Sequence, residues 1–255
     1  MNKSKNTTLP PNRVPQIIFI YWVIKIAATT LGETGADMFS MTLNLGYSAT
    51  IFIFMSIFLL LLGIKLSIKK YDPILYWLVF TSTAIVGTAI SDFIDRTLGL
   101  GYTIGSSILL GLIIVILMVW NKAEKNISVE KITTFNAEVF YWLAFLIANT
   151  LGTAMGDFLA DELEIGFLNS AIMISAILAG LALLHFYTKI SGVVLFWFAF
   201  VLTRPFGATF GDLLTKSGTQ GGLHLGTVEA SIFFSMILFI AVLKESKLEK
   251  SLINK

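Results

Sequence analysis

Cysteine is absent from the chain, which excludes disulfides, thiolate metal sites and cysteine nucleophiles and leaves the compartment open. Histidine is scarce: His185 and His224 stand far apart and neither belongs to a ligand-spaced pair, so neither a zinc site nor a haem site is expected. Charge is scarce as well. Only 13% of the 255 residues are charged against 56% hydrophobic, and the mean hydropathy is +0.82, far from the composition of soluble domains. The net charge is only +2, and the cations stand at the ends of apolar runs rather than in a patch, so no nucleic-acid partner is implied. Phosphate-cradling glycine loops are missing, as is a mid-helix lysine suited to a Schiff base, and no organic cofactor is indicated. The period-two alternation of a membrane β-barrel is missing too.

What the chain does have is long apolar runs, such as Ala49 to Leu66, Ile104 to Trp120 and Leu168 to Tyr187. Each approaches the ~20 residues that an α-helix needs to cross a bilayer core about 30 Å thick. Helices are the expected spanning element, because backbone polar groups must be satisfied internally in lipid. The polar start is followed by a segment without a small-residue cleavage site, which reads as a membrane helix rather than a removable signal peptide.

Within this apolar background a tryptophan is followed fifteen residues later by an aspartate, four times: Trp22/Asp37, Trp77/Asp92, Trp142/Asp157 and Trp197/Asp212. An aromatic residue precedes each Trp (Tyr21, Tyr76, Tyr141, Phe196). A glycine follows it by ten residues (Gly32, Gly87, Gly152, Gly207), and a small residue comes four later (Ala36, Ser91, Gly156, Gly211). The spacings between tryptophans are 55, 65 and 55, with the extra ten falling in the polar segment Asn121 to Lys131. Such agreement signals internal duplication. Each copy holds a second apolar run after a connection ending near Gly46, Gly101, Gly166 or Gly226. The expected fold is therefore all-α: a polytopic membrane protein of eight transmembrane helices in four two-helix repeats. Residues 1–13 read as a cytoplasmic tail, 14–120 as repeats 1 and 2, 121–131 as a cytoplasmic linker, 132–243 as repeats 3 and 4, and 244–255 as a second cytoplasmic tail.

Two helices per copy give all copies one orientation, so the four aspartates share a side. Basic residues flank the termini and the between-repeat loops: Lys3, Lys5, Arg13, Lys69, Lys70, Lys122, Lys125, Lys131, Lys189, Lys244, Lys247, Lys250 and Lys255. The within-repeat connections hold only Arg96 and Lys216. By the positive-inside rule both termini are cytoplasmic and the aspartates face outward. Fifteen residues span roughly 22 Å of helix and about 4.2 turns, which puts each Asp in the outer third of the membrane or at the mouth of an outward vestibule, on much the same face as its Trp. The small-xxx-small pairs, such as Gly152/Gly156 and Gly207/Gly211, favour close helix approach, with the odd-numbered helices inside. The tryptophans read as interfacial anchors and the Phe runs around Phe52, Phe54 and Phe58 or Phe233 and Phe234 as lipid-facing surface.

An intramembrane carboxylate is costly unless neutral, paired or facing water or a cation, so four aligned copies point to a site. One turn before the aspartates stand Glu33, Thr88, Thr153 and Ala208. Carboxylate and hydroxyl oxygens from several helices suit a hard cation, and Glu33, Asp37, Asp92, Asp157 and Asp212 are the expected metal or ion ligands, with Thr88 and Thr153 beside them. Arg204, before Pro205, reads as the one strongly buried base, with Glu33 or an aspartate as counter-ion; the alternative is that it ties its helix to neighbouring backbone carbonyls. Asn149 shares its repeat position, and Glu229 is the acid of the even-numbered helices expected to contribute to coupling. Asp95, Asp161, Glu162 and Glu164 read as solvated acids that concentrate cations at the mouth. An aspartate in a boundary layer has a plainer reading too, as a helix cap or a headgroup contact.

The aromatic-Trp pair, central Gly and terminal Asp in two-helix units resemble a bacterial family of four-repeat membrane proteins whose repeat is of unknown function, over Arg13 to Leu243. The resemblance implies the architecture and no activity. Glu33-Thr34-Gly35-Ala36-Asp37 is also similar to the Glu-x-Gly-Asp motif of a calcium and manganese transporter family, with an extra residue before the Asp and no following Lys or Arg.

The reading drawn from these residues is a non-enzymatic, proton-coupled transporter of a divalent metal such as Mn²⁺ or of a monovalent cation. Its partners would be that inorganic cation, protons and the lipid bilayer. A cation channel and a non-transporting scaffold or sensor are the alternatives. An intramembrane aspartyl protease, suggested by Met155-Gly156-Asp157 and Phe210-Gly211-Asp212, would need a distinguished pair rather than four equivalents. The pattern leaves the oligomeric state open, a homodimer included.

Overall fold

A computed structural model describes residues 12–125, 127 and 132–253. Lys3, Lys5, Lys131 and Lys255 of the expected topology signal lie outside the described residues. The described chain is all helical, with eight long helices: α1 (Phe19–Asp37), α2 (Gly46–Ser67), α3 (Pro73–Asp92), α4 (Gly101–Glu124), α5 (Phe135–Asp157), α6 (Phe167–Tyr187), α7 (Gly192–Thr215) and α8 (Thr227–Ile253). Helix continues to Glu124 at the start of the expected linker and to Ile253 in the expected C-terminal tail.

Seven of these are long and apolar enough to cross a membrane, which marks a membrane protein. The exception is α1, which carries Lys25, Glu33 and Asp37, all buried inside the bundle.

Local signals place the helix starts. Asp72 caps α3 by accepting the Leu75 N–H at 2.9 Å, with Pro73 in the first turn, and Thr134 caps α5 by accepting from Ala137 N–H at 3.1 Å. Every outer helix is preceded by one four-residue pattern: Leu43-Asn44-Leu45-Gly46, Leu98-Gly99-Leu100-Gly101, Leu163-Glu164-Ile165-Gly166 and Leu223-His224-Leu225-Gly226. Its second and fourth residues have positive φ in all four copies, 53–66° and 72–92°. Glycine makes the fourth position inexpensive; Asn44 tolerates the second, while Glu164 and His224 are strained there. In the first three repeats a five-residue π-helical turn begins directly after Asp37, Asp92 and Asp157. Such turns concentrate at functional sites.

The inner helices close a ring, α1 on α3, α3 on α5, α5 on α7 and α7 on α1. The outer helices do not pack chiefly on the inner helix of their own repeat. Instead α2 lies on α3, α4 on α5, α6 on α7, and α8 returns to α1. Burial follows this order: 56–78% of the α3, α5 and α7 spans is buried against 22–28% of the outer ones. Among the phenylalanines read as lipid-facing, Phe52 and Phe233 are exposed, whereas Phe58 and Phe234 are buried against the ring.

The repeated glycines set the ring's diameter. A Cβ at Gly32 would lie 2.5 Å from Ala84 Cβ, at Gly87 2.9 Å from Asn149 Cβ, and at Gly207 2.5 Å from Thr29 Oγ1, while at Gly152 it would strike Arg204. Each glycine thus faces the residue seven after the Trp of the next repeat. The fourth contact closes the circle.

At the Trp end the tryptophans are not all interfacial anchors. Trp77 and Trp142 are about 1% exposed and pack with Tyr21, Tyr76 and Tyr141 in the main apolar core, leaving Trp22 and Trp197 half-buried. Tyr76 and Tyr141 hydroxyls meet at 2.6 Å, and the Trp77 indole N–H donates to Glu245 Oε2 of α8 at 2.6 Å. Aromatic rings there close the ring's floor.

Candidate functional site

Successive steps of four residues along each inner helix place one residue per repeat in each layer around the ring. Above the Tyr21/Tyr76/Tyr141/Phe196 floor come Lys25/Phe80/Phe145/Phe200, then Thr29/Ala84/Asn149/Arg204, then Glu33/Thr88/Thr153/Ala208, and finally the four aspartates. Residues four apart share a helix face. The polar groups are concentrated in the upper three layers.

Arg204 fills the middle. Its Nη1 donates to Glu33 Oε2 at 3.3 Å and to the Thr29 carbonyl at 3.4 Å; its Nη2 donates to Thr153 Oγ1 at 2.6 Å, to the Ala84 carbonyl at 3.4 Å and to the Thr88 hydroxyl. One guanidinium from α7 therefore touches all three other inner helices. Both expected roles are present together, the Glu33 ion pair and the tie to backbone carbonyls. Glu33 Oε2 also accepts from Thr88 Oγ1 at 3.1 Å and Thr153 Oγ1 at 3.4 Å. Asn149 stands beside this layer and donates to Thr83 Oγ1 at 2.8 Å.

The four aspartates lie in the next layer, each 1–2% exposed. They are enclosed rather than lining an open outward vestibule. Two cations from the Asp end bridge them in pairs. Arg96 on α3's π-turn lies 3.1 Å from Asp92 and 3.9 Å from Asp157, and Lys216 lies 2.6 Å from Asp37 and 3.2 Å from Asp212. Burial disfavours the Lys216 ammonium, yet the Asp212 and Asp37 carboxylates outweigh that and hold its pKa well above the ordinary lysine value. Among the described residues the carboxylates form no ready ligand group for a metal ion. One oxygen of each carboxylate faces Arg96, Lys216 or Arg204, while Asp37 Oδ1 is buried without a hydrogen-bond partner.

Several groups differ from the sequence expectation. Glu229 is exposed in the first turn of α8, away from the layers. Asp95 is buried, accepting from Ser91 Oγ at 3.4 Å, whereas Asp161, Glu162 and Glu164 are exposed. Arg204 is not the one strongly buried base. Lys65 and Arg13 are buried on either side of Glu138, each 2.6 Å from it, at the Trp end. Lys25, a mid-helix lysine of the kind thought missing, donates to the Phe200 carbonyl at 2.6 Å and lies 3.1 Å from the centre of the Phe200 ring. No carboxylate among the described residues reaches it within ion-pair distance. The sequence did hold one signal for the ring's cations: Arg96 and Lys216 stand four residues after Asp92 and Asp212, one turn further along the same face.

The repeat itself is recognised. A family described as Repeat of Unknown Function (DUF347) matches residues 20–71, 75–126, 140–191 and 195–250. The chain belongs to this family. No curated protein and no solved structure matches it. Each DUF347 match starts two residues before a repeated Trp and takes in one inner helix and the outer helix that follows. The unit of sequence is therefore not the unit of packing, because that outer helix lies on the next repeat.

Proposed function

We propose that the chain is a proton-coupled transporter of a hard cation, working through the carboxylate layers of the ring. The observation that carries this reading is an imbalance of charge. Five buried carboxylates, Glu33, Asp37, Asp92, Asp157 and Asp212, share three cations, Arg96, Arg204 and Lys216. Two negative charges beyond the fixed cations are untenable in a buried layer, so protons or a bound cation must neutralise them. Exchange of one for the other is coupled transport.

In this reading all eight helices span a bacterial inner membrane, α1 included because its charged residues face the ring, and both ends of the chain are cytoplasmic. Arg204 is the closed gate: protonation of Glu33, or a cation beside it, weakens the pair and frees the guanidinium from α1, α3 and α5. That favours a gated transporter over an open channel. Proteolysis is disfavoured, since each Asp is tied to Arg96 or Lys216 and no carboxyl dyad stands apart. Transport therefore ranks above an enzymatic role.

Purified protein in liposomes, loaded with cation indicators and a pH dye, tests the reading. Cation uptake with opposed proton movement, lost in Asp92→Asn and Asp157→Asn, is the expected result; silence toward a panel of monovalent and divalent cations overturns it. Such silence would favour a scaffold or sensor. One observation already leans that way, the ring being shut at its aromatic floor and again at Arg204.

A further inference from the structure

The residues before α1 do not continue along its axis. Pro15 holds the preceding Val14 to extended backbone, which keeps the segment out of the helix, and residues 12–15 pass beneath the Trp end of the ring. The Arg13 N–H donates to the Ile132 carbonyl, the Ile132 N–H to Asn12 Oδ1 and the Tyr71 N–H to the Asn12 carbonyl, each at 3.0 Å. Arg13 Nη1 donates to Glu138 Oε2 of α5 at 2.6 Å. In the ring α5 packs on α3 and α7, so the segment that leads into α1 crosses to the helix opposite. Arg13, Val14 and Pro15 are buried, Val14 in one apolar core with the floor residues Tyr21, Tyr76 and Tyr141.

The charges that hold this crossing stand outside the fourfold pattern. Glu138 corresponds to Ile18, Pro73 and Val193 in the other repeats, Lys65 to Trp120, His185 and Ile240, and Arg13 to Ile68, Thr133 and Thr188. The ring built by duplication needs none of the three; they meet only where the N-terminal segment arrives. They are also unequal. Lys65 Nζ lies 2.6 Å from Glu138 Oε1 and neutralises it alone, so Arg13 brings one positive charge more than the carboxylate requires. When Arg13 leaves, the Lys65–Glu138 pair stays matched and no charge is stranded, stranding being the costly part of breaking a buried pair. Arg13 Nε, buried without a hydrogen-bond partner, regains water on leaving. The contact closes the ring and opens at small cost.

We propose that residues 12–15 are a releasable strap across the Trp end of the ring, latched by Arg13 on Glu138, and that its release uncovers the α5 side of the aromatic floor. Ala137 marks what the strap covers. It stands four residues before Tyr141, on the same face and one turn nearer that end, and is 7% exposed. Ile17, Asp72 and Gly192, at the same step of the other inner helices, are partly or fully exposed. The strap adds a further closure to the floor and the Arg204 tie, at the end that a carrier of the proposed orientation opens to the cytoplasm. It rests on the transporter reading only for what would pass, not for the closure itself.

The chain has no cysteine, so one introduced thiol reports without background. Ala137→Cys in the purified full chain, held in lipid nanodiscs, should react slowly with a water-soluble maleimide. Adding Arg13→Gln should speed the reaction by about tenfold or more through local opening. Arg13→Lys, which keeps the charge, should hold it slow, and so should Lys65→Met, which makes Arg13 the sole cation on Glu138. Ser82→Cys, within α3 and 5% exposed, should stay slow in every background. An unchanged rate with Arg13→Gln, or a parallel rise at Ser82→Cys that marks general loosening of the bundle, overturns the proposal. A strap that opens in this assay while liposomes show no ion movement would leave the strap standing and remove the transporter reading.

Discussion

Replacing Arg204 by Met keeps much of the side chain's length and removes its charge and its five donor contacts. Glu33, about 2% exposed, would keep only the Thr88 and Thr153 hydroxyls at 3.1 and 3.4 Å. Removing one partner of a buried ion pair typically costs about 3–5 kcal/mol, because the remaining charge is stranded. Glu33→Gln should fall near the lower end, about 3 kcal/mol, since Arg204 retains the Thr29 and Ala84 carbonyls and two hydroxyls. In the double variant neither charge is left, so its cost should fall short of the sum of the singles by roughly 2 kcal/mol. Reversible unfolding of the four proteins in detergent micelles measures the cycle. Additivity within about 0.5 kcal/mol would refute the reasoning, and would make Arg204 a tie to backbone carbonyls alone.

Gly87→Ala and Gly32→Ala force a Cβ to within 2.5–2.9 Å of the facing helix and should each cost about 1–3 kcal/mol by the same unfolding assay. Gly63→Ala and Gly111→Ala, in outer helices with open space around the added atom, should instead be neutral or stabilising by up to about 1 kcal/mol. Glu138→Gln strands both Arg13 and Lys65 and should destabilise by about 3–5 kcal/mol, while Lys65→Met, which leaves the Arg13 pair at 2.6 Å, should cost clearly less. Cysteines placed singly at Lys70 and Leu223 should label from opposite sides of the membrane, Lys70 from the cytoplasm; labelling of both from one side would overturn the topology.

Much of this arrangement is legible before any coordinates. The interval from Trp to Asp repeats, so the helix count, the orientation of the copies and the layers read off in steps of four all follow from one periodicity. Glu33, Thr88, Thr153 and Arg204 come together because they occupy adjacent layers of that ladder. What the sequence concealed were partners lying between elements. Arg96 and Lys216 read as loop residues, because their spacing of four from Asp92 and Asp212 puts them on the same face only if the turn continues past the Asp, and no residue in the linear chain marks that continuation. Lys25 was hidden among apolar neighbours, and its partner is a backbone carbonyl, which carries no sequence signature. The packing of outer helices was equally silent: α2 and α6 are apolar around their whole circumference, so no stripe announces which neighbour they meet. The tryptophans misled for a related reason, since a buried indole with an acid in reach, as Trp77 has in Glu245, looks in sequence like a membrane-boundary anchor.

Because every outer helix rests on the following repeat, the junction of α8 with α1 is the same kind of junction as α2 with α3. Where the polypeptide happens to begin is then immaterial to the ring. A chain rearranged to start at α3 and finish at α2, with the old ends joined, would rebuild every helix neighbour, whereas a fragment of two repeats would leave one inner helix without its cover and one outer helix without its seat. The face of α1 that α8 covers is therefore closed from the far side of the described sequence, and it stays open until the last of the eight long helices is in place.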